Sequence, residues 1–181
     1  MRNFYRLCEG LDTVPIVHTL QTRPELWNRN ALRREFPGTP HVECDDIWLR
    51  FQPEGMTQEQ IVDAHESVNY PAMNEIPGVR NIVFGLMRQV EGERLGRVLI
   101  TRLAPGKKIY PHIDGGDHAR YYKRYQIALQ SLPGVVFRAG DEQVNMRTGD
   151  IWWFDNGENH EVINNSADDR IALIVDIRPC Q

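Results

Sequence analysis

The sequence is poor in cysteine, in positive charge and in long apolar runs. Its cysteines are Cys8, Cys44 and Cys180, which lie far apart and form no Cys-x-x-Cys pair. An odd and scattered set of this kind excludes a disulfide framework and is typical of a reducing compartment. No segment approaches the roughly 20 apolar residues of a membrane span, and no apolar stretch of a secretory signal follows residues 1–6. These absences predict a cytoplasmic protein without a membrane partner.

Basic residues number 21 against 25 acidic ones, which gives a formal net charge of -4. Proteins that bind nucleic acids need a basic surface, so we expect no nucleic-acid partner. The 41% hydrophobic and 25% charged residues are ordinary for a globular protein, and 181 residues are enough for one domain with a core. We therefore expect a single domain over residues 1–181.

Residues 1–95 mix helical and strand patterns. Thr22-Arg23-Pro24-Glu25 and Thr57-Gln58-Glu59-Gln60 both have the pattern of a capping box. The first predicts a helix that continues to about Glu35. Residues 41–51 alternate as a strand, and the apolar residues of 79–90 follow helical spacing. We expect this last helix to pack on a sheet.

From residue 96 onward the pattern changes to short strands separated by glycine and proline turns. The predicted strands cover residues 97–103, 109–113, 124–129, 135–138, 143–146, 150–154, 160–164 and 170–177. Short strands with tight turns are typical of a jelly roll of two antiparallel sheets, the architecture of cupins. We therefore expect a mainly β fold with flanking helices, in which residues 1–95 support a jelly-roll core at 96–181.

A His-x-Asp motif, His112-Ile113-Asp114, lies at the end of one predicted strand, and His160 opens another. Residues i and i+2 of a strand point to the same face, so His112 and Asp114 can reach one ion together. Two imidazoles and one carboxylate form the facial triad that holds non-haem Fe(II) with positions left open. The residues therefore predict a catalytic metal site, although an isolated His-x-Asp also occurs in proteins without a metal.

Arg170 is the first residue of the last predicted strand. Its planar guanidinium could hold a carboxylate through two parallel hydrogen bonds, which suggests a cosubstrate that carries a carboxylate. The alternative is an ion pair between Arg170 and Asp168 or Asp169 at the start of the strand.

The remaining candidates have no partner at a suggestive spacing and are expected to be structural. We interpret His118 as a loop residue, and His18, His41 and His65 as surface or satisfied core histidines. Asp45-Asp46 is expected to be a solvated strand edge.

The segment from Thr101 to Arg178 resembles the aspartyl/asparaginyl beta-hydroxylase family. The matching motifs are Pro105-Gly106, Tyr110-Pro111-His112, Arg124-Tyr125-Gln126-Ile127-Ala128-Leu129, Gly149-Asp150-Ile151-Trp152, Phe154-Asp155, His160 and Arg170. This resemblance implies a double-stranded β-helix with Fe(II) and 2-oxoglutarate as cofactors. It also implies that His112 and His160 bind iron, with Asp114 as the carboxylate ligand that bacterial members often have.

The resemblance further implies a cosubstrate site. Arg170 matches the residue that pairs with the distal carboxylate of 2-oxoglutarate, and Thr101 matches a hydroxyl that assists there. Arg124 matches a second cosubstrate arginine, for which Arg120 is the alternative because the preceding loop is long. Gln126 replaces a histidine of some relatives.

The expected function is O2-dependent hydroxylation of an unactivated C–H bond in an amino acid or other small molecule, or in an Asp/Asn-type side chain of a peptide. Trp48, Arg50 and Tyr110 are the candidate substrate contacts. Two alternatives stay open: a cupin metalloenzyme that does not use 2-oxoglutarate, and a non-catalytic cupin-like binding module.

Overall fold

The computed structural model describes residues 1–180 and, within α3, leaves the side chains of residues 58 and 59 undescribed. Gln181, the last residue of the predicted domain, lies outside the described residues. The strands are β1 Phe4–Cys8, β2 Cys44–Phe51, β3 Val68–Asn69, β4 Gly92–Leu103, β5 Lys108–His112, β6 Lys123–Gln130, β7 Val135–Ala139, β8 Glu142–Val144, β9 Ile151–Phe154, β10 His160–Asn164 and β11 Arg170–Pro179. The helices are α1 Val14–Thr22, α2 Leu32–Glu35, α3 Gln58–Asp63, α4 Ala72–Glu75, α5 Val79–Gln89 and α6 Gly116–Tyr121.

The strands form two sheets. The larger sheet has seven strands in the order β1-β9-β6-β11-β4-β2-β3, and the smaller has four in the order β5-β10-β7-β8. Neighbouring strands are antiparallel. The predicted jelly roll is confirmed, and the predicted strands of the C-terminal half correspond to β4 through β11 with ends shifted by a few residues.

Strand β11 lies in the middle of the larger sheet and divides two environments, because successive side chains of a strand point to opposite faces. One face packs on α1, α4 and α5 and carries the buried apolar residues Ile171, Leu173, Val175 and Ile177. The opposite face of β11 carries Arg170, Ala172, Ile174 and Asp176, all of which are buried. A second apolar cluster joins residues of both sheets on that side. The charged residues Arg170 and Asp176 therefore point into the space between the sheets.

The predicted amphipathic helix is confirmed as α5, which buries Val79, Val83 and Leu86 against the larger sheet. The capping box at Thr57 is also confirmed. The Thr57 hydroxyl accepts from the backbone amide of Gln60, and the Gln60 side chain accepts from the backbone amide of Thr57. No helix among residues 1–180 has the length and apolarity needed to cross a membrane.

The predicted helix from Thr22 to Glu35 is wrong. Thr22 is the last residue of α1 and does not start a helix, because Arg23, which precedes Pro24, leaves the helical conformation with φ -128° and ψ 66°. A short 3₁₀ helix and the four-residue α2 follow. Asn28 separates them with a φ of 57°, and its amide donates to the Asp46 carbonyl at 2.8 Å. This contact ties the segment to β2, which a regular helix could not do.

Residues 1–95 contribute directly to the larger sheet through β1, β2 and β3. Position 95 itself lies inside β4. The predicted support region at the N-terminus and the predicted jelly-roll core are therefore joined by hydrogen-bonded strands.

Candidate metal centre

Two imidazoles face each other across the smaller sheet. His112 is the last residue of β5, His160 is the first residue of β10, and the antiparallel register pairs them directly. Directly opposed residues have Cβ atoms about 5 Å apart, and these two rings have centroids 4.2 Å apart. Both rings can therefore reach one ion.

Backbone carbonyls fix the tautomer of each ring. His112 Nδ1 donates to the Tyr110 carbonyl at 2.7 Å, and His160 Nδ1 donates to the Glu158 carbonyl at 2.9 Å. A carbonyl oxygen can only accept, so the proton is on Nδ1 and the lone pair is on Nε2. Such a hydrogen bond orients a metal-binding imidazole and makes it more basic.

Asp114 completes the cluster from just beyond the end of β5. Its amide donates to the Asn156 carbonyl at 3.1 Å, and its Oδ1 lies 3.6 Å from His112 Nε2. One ligand atom from each of His112, Asp114 and His160 lies within 4.8 Å of the others. Three nitrogen and oxygen donors of this kind fit a divalent iron and leave coordination positions open for other ligands.

The protonation states suit metal binding. Burial lowers the pKa of His112 to about 4, and the charge of His160 adds to this. Burial also lowers the pKa of His160. For Asp114, burial would raise the pKa, but Arg124 and the two imidazoles outweigh it and the pKa is lowered. The cluster therefore offers neutral imidazoles and a carboxylate at neutral pH, as metal ligands must be.

A buried ion-pair network includes Asp114. Arg124 of β6 donates from Nη1 to Asp114 Oδ2, and from Nε and Nη2 to the two oxygens of Asp176 at 2.8 and 2.9 Å. Asp176 also hydrogen-bonds His118 Nε2 at 3.0 Å. Burial would raise the pKa of Asp176, yet Arg124 and His118 lower it. The network fixes the orientation of the Asp114 carboxylate.

Arg124 is thus already engaged with two carboxylates, and its role toward a cosubstrate stays a prediction. The alternative residue, Arg120, lies on α6 with a side chain that is 73% exposed and pairs with Asp117. Arg124 lines the cavity beside Asp114, whereas Arg120 is not among its lining residues.

The predicted cosubstrate residues Thr101, Gln126 and Arg170 lie on the neighbouring strands β4, β6 and β11. Arg170 Nη2 donates to Gln126 Oε1 at 2.5 Å. Arg170 Nη1 is buried and has no hydrogen-bond partner in the described part of the chain. Burial lowers the pKa of Arg170 to about 10. A buried charged group without a partner is unfavourable, so this guanidinium fits a ligand that supplies a carboxylate.

The alternative pairing of Arg170 is not realised, since neither Asp168 nor Asp169 forms an ion pair with it among residues 1–180. Asp169 instead lies 3.8 Å from Arg102.

Thr101 takes part in a second polar network. Its hydroxyl donates to Asp46 Oδ1 at 2.7 Å, and Arg33 Nη1 donates to Thr101 at 3.3 Å and to Asp46 at 2.9 Å. The expectation that Asp46 lies on a solvated strand edge is wrong, because Asp46 is only 3% exposed. The register pairs Asp46 of β2 directly with Thr101 of β4, which places both between the sheets.

A cavity of about 260 Å³ opens beside Asp114. Its walls include the apolar residues Trp48, Phe51, Ile61, Leu99 and Ile174, and its polar lining consists of Arg33, Thr39, His41, Arg97, Asp114, His118 and Arg124. Of the predicted substrate contacts, Trp48 lines this cavity. Arg50 and Tyr110 are not among its lining residues: Arg50 donates to Asn69 Oδ1 at 3.0 Å, and the Tyr110 ring lies under the Lys108 ammonium at 4.5 Å.

Sequence reasoning missed four residues of this region: Arg33, His41, Arg97 and His118. The interpretation of His118 as a loop residue is wrong, since it lies in α6, is 2% exposed and hydrogen-bonds Asp176. His41 packs edge-to-face on His112 with centroids 4.9 Å apart. No spacing in the sequence links these residues to the motif. The one signal in the sequence was Asp176, a carboxylate between the apolar residues Val175 and Ile177 of β11.

Comparisons with known proteins agree with this fold. The family model for aspartyl/asparaginyl beta-hydroxylase matches residues 31–179. Similar solved structures include a 2OG-Fe(II) oxygenase family protein from Burkholderia pseudomallei, with 17% identity, 96% of this chain and 93% of that chain covered, and a TM-score of 0.53. A Pseudomonas putida prolyl-4-hydroxylase has 17% identity, with 99% and 94% covered and a TM-score of 0.54.

A viral collagen prolyl hydroxylase from Paramecium Bursaria Chlorella virus-1 is similar over 98% of this chain and 97% of that chain, with 12% identity and a TM-score of 0.54. At such low identities these likenesses establish the fold. No curated protein sequence matches the chain significantly.

The fold and the His-Asp-His cluster define a double-stranded β-helix protein with a candidate metal site. More particularly, the chain belongs to the aspartyl/asparaginyl beta-hydroxylase family, as the resemblance at Thr101 to Arg178 predicts. As a member of this family, the chain is a hydroxylase. This membership favours the enzyme over a non-catalytic binding module.

We expect the chain to bind one Fe(II) and His112→Ala to lose stoichiometric binding, because two remaining side chains hold the ion too weakly. Metal analysis after anaerobic reconstitution and desalting measures this. His18→Ala, which removes an exposed histidine of α1, is the matched control and should keep its iron. Full iron occupancy in His112→Ala would contradict the ligand assignment.

We expect Asp176→Asn to lower the free energy of unfolding by on the order of 3 kcal/mol, because it leaves the buried Arg124 with one carboxylate fewer. Urea denaturation measures the change. Asp141→Asn is the control, since its ion pair with Arg2 has side chains 78% and 77% exposed and such pairs contribute little. Equal effects of the two substitutions would show that the buried network is not stabilising.

Proposed function

We propose that this chain hydroxylates a C–H bond of an amino acid or other small molecule, with Fe(II) held by His112, Asp114 and His160. The observation that carries the proposal is the buried Arg170 Nη1, which has no partner in the described residues and lies in the same inter-sheet space as an open three-ligand cluster. When bound, Fe(II) with 2-oxoglutarate and O2 supplies the oxidation of C–H to C–OH, while 2-oxoglutarate becomes succinate and CO2.

The ligand residues are held in position before any ion binds. Two carbonyls orient the imidazoles of His112 and His160, and Arg124 orients the carboxylate of Asp114. Partners behind the ligands typically contribute about 10- to 100-fold to metal affinity or activity. In this proposal Arg124 acts mainly by holding Asp114, and a contact of Arg124 with the cosubstrate would add to that role.

Arg170 binds the distal carboxylate of 2-oxoglutarate in this proposal. Gln126 accepts from Arg170 Nη2 and thereby fixes the plane of the guanidinium, which leaves Nη1 directed away from Gln126 to donate to a ligand. Thr101 is buried on the neighbouring strand β4 and is kept in place by Asp46. Its hydroxyl oxygen is the polar atom that would assist the same carboxylate.

The cavity beside Asp114 is the proposed substrate site. A volume of about 260 Å³ suits a small molecule better than a folded polypeptide, and Trp48 supplies one of its walls. A free amino acid is the substrate class that we favour over a peptide. We also propose that residues 1–181 form one domain, because strands from both parts of the chain share the larger sheet.

Succinate formation from 2-oxoglutarate tests the function. The iron-loaded chain is incubated aerobically with 2-oxoglutarate and pools of amino acids, other small metabolites or short Asp/Asn-containing peptides, and succinate and hydroxylated products are detected by mass spectrometry. We expect substrate-dependent succinate from an amino-acid or metabolite pool, and none from His112→Ala. Oxidation of a pool component without loss of 2-oxoglutarate would instead favour the cupin metalloenzyme.

We expect Arg170→Ala to raise the KM for 2-oxoglutarate by about 100-fold or more, because removal of one partner of a buried ion pair costs about 3 to 5 kcal/mol. Iron content should be unchanged, since Arg170 is not a ligand. Arg170→Lys should restore little, because a point charge does not reproduce the planar fork. Arg138→Ala, an exposed residue of β7, is the control, and an unchanged KM in Arg170→Ala would overturn the assignment.

A further inference from the structure

Guanidinium groups border the space between the sheets at several positions, and their charges are not all compensated. These groups belong to Arg33, Arg97, Arg124 and Arg170. Arg33 pairs with Asp46 at 2.9 Å, and Arg124 pairs with Asp114 and Asp176. Within the described part of the chain, Arg97 and Arg170 have no carboxylate partner. Arg170 is already assigned to the cosubstrate, which leaves Arg97 to be explained.

Arg97 is held only by uncharged groups. Its Nε donates to Gln52 Oε1 at 3.0 Å and its Nη2 donates to the Ile61 carbonyl at 2.5 Å. The guanidinium carbon lies 4.9 Å from the centroid of the Phe51 ring. These contacts fix the plane of the group, and among the described residues Nη1 donates no hydrogen bond. Arg97 also lines the cavity that contains Asp114.

Arg97 is partly buried and forms no ion pair with a carboxylate in the described part of the chain. Desolvation lowers the pKa of Arg97 to about 10, although the nearby charges of Asp176 and Asp114 act in the opposite direction. An arginine fixed by neutral hydrogen bonds, with donors left over toward a cavity, is preorganised for an anion. A ligand carboxylate would supply the missing charge and accept from Nη1.

Arg97 and Arg170 lie at different ends of the larger sheet. The register pairs Arg170 with Leu103, which is six residues from Arg97 on the same strand, or about 20 Å at roughly 3.3 Å per residue. The two guanidinium groups therefore suit two separate anionic groups. Asp114, a proposed metal ligand, lines the same cavity as Arg97.

We propose that Arg97 anchors a carboxylate of the substrate, so that the molecule hydroxylated is a small carboxylic acid with an apolar body, such as an amino acid with an apolar side chain. We infer the apolar body of the substrate from the walls of the cavity, which include Trp48, Leu99 and Ile174. This inference rests on the proposed function, because it takes the cavity to be the substrate site. It adds the chemical group by which the substrate is recognised and the residue that recognises it.

Equilibrium binding tests the inference without turnover. The full chain is loaded with Fe(II) and 2-oxoglutarate under anaerobic conditions and titrated by calorimetry with leucine, isoleucine, valine, proline and phenylalanine. The same amino acids are then titrated as carboxamides, which keep the shape and lose the negative charge. We expect at least one acid to bind and its amide to bind at least about 30-fold more weakly, as for loss of a buried charge-pair partner.

Variants assign the effect to Arg97. In Arg97→Gln we expect acid and amide to bind equally weakly, and in Arg97→Lys part of the preference for the acid should return with the charge. Arg94→Gln is the matched control, since Arg94 is on the same strand β4 and pairs with Glu66 outside the cavity. If Arg97 only fixes α3 through the Ile61 carbonyl, Arg97→Gln would lower the melting temperature and keep the preference for the acid.

The inference is overturned if no acid of the panel binds, if the amides bind as tightly as the acids, or if Arg97→Gln keeps the preference. Succinate formation separates this failure from failure of the proposed function. Substrate-dependent succinate without a carboxylate preference overturns the role of Arg97 alone. A carboxylate preference that depends on Arg97, in a chain that forms no succinate from any pool, overturns the proposed function and leaves an anion-binding cavity.

Discussion

The alternation of side chains along β11 is the constraint on which the rest of the structure depends. Every second residue, from Ile171 to Ile177, is apolar and packs on the helices, so the intervening residues must face the smaller sheet. That second set includes Arg170 and Asp176, which are both at most 4% exposed. A shift of the register by one residue would exchange the two faces and bury these charges in the apolar core. The hydrophobic effect therefore fixes where the functional charges lie.

Burial of these charges then determines the electrostatics of the site. Asp176 and Asp114 share Arg124, and Asp46 shares Arg33 with Thr101. Each of these three carboxylates is thus compensated by a guanidinium, as a low-dielectric environment favours. A guanidinium left without a carboxylate is the exception to this pattern. Such an exception is most simply explained by a ligand that brings the negative charge. The unpaired Arg170 and Arg97 are therefore the residues that we propose to bind carboxylates.

The first 95 residues complete the cavity as well as the sheet. The β2 strand supplies Trp48 and Phe51, and α2 supplies Arg33, which hydrogen-bonds the ring of His41 at 3.0 and 3.1 Å. The β4 strand links this half to the metal side, since Thr101 and Leu99 pair with both β2 and β11. Substrate selection is therefore expected to depend on residues of both halves, whereas the metal ligands come from the C-terminal half.

The sequence by itself determined the positions of the strands along the C-terminal half, the helix α5, the His-x-Asp motif and the choice of Arg170 as a candidate. Strands and helix follow from local periodicity, and the candidate residues are of types that suit few roles at such positions. It also carried the family, through motifs between Thr101 and Arg178. Only the tertiary structure decided the pairing of His112 with His160, the engagement of Arg124 with Asp176, and the burial of Asp46 and His118. It also brought Arg97 to the cavity. These contacts join residues far apart in the chain through sheet register, and register is set by packing of the whole fold, which no local pattern records.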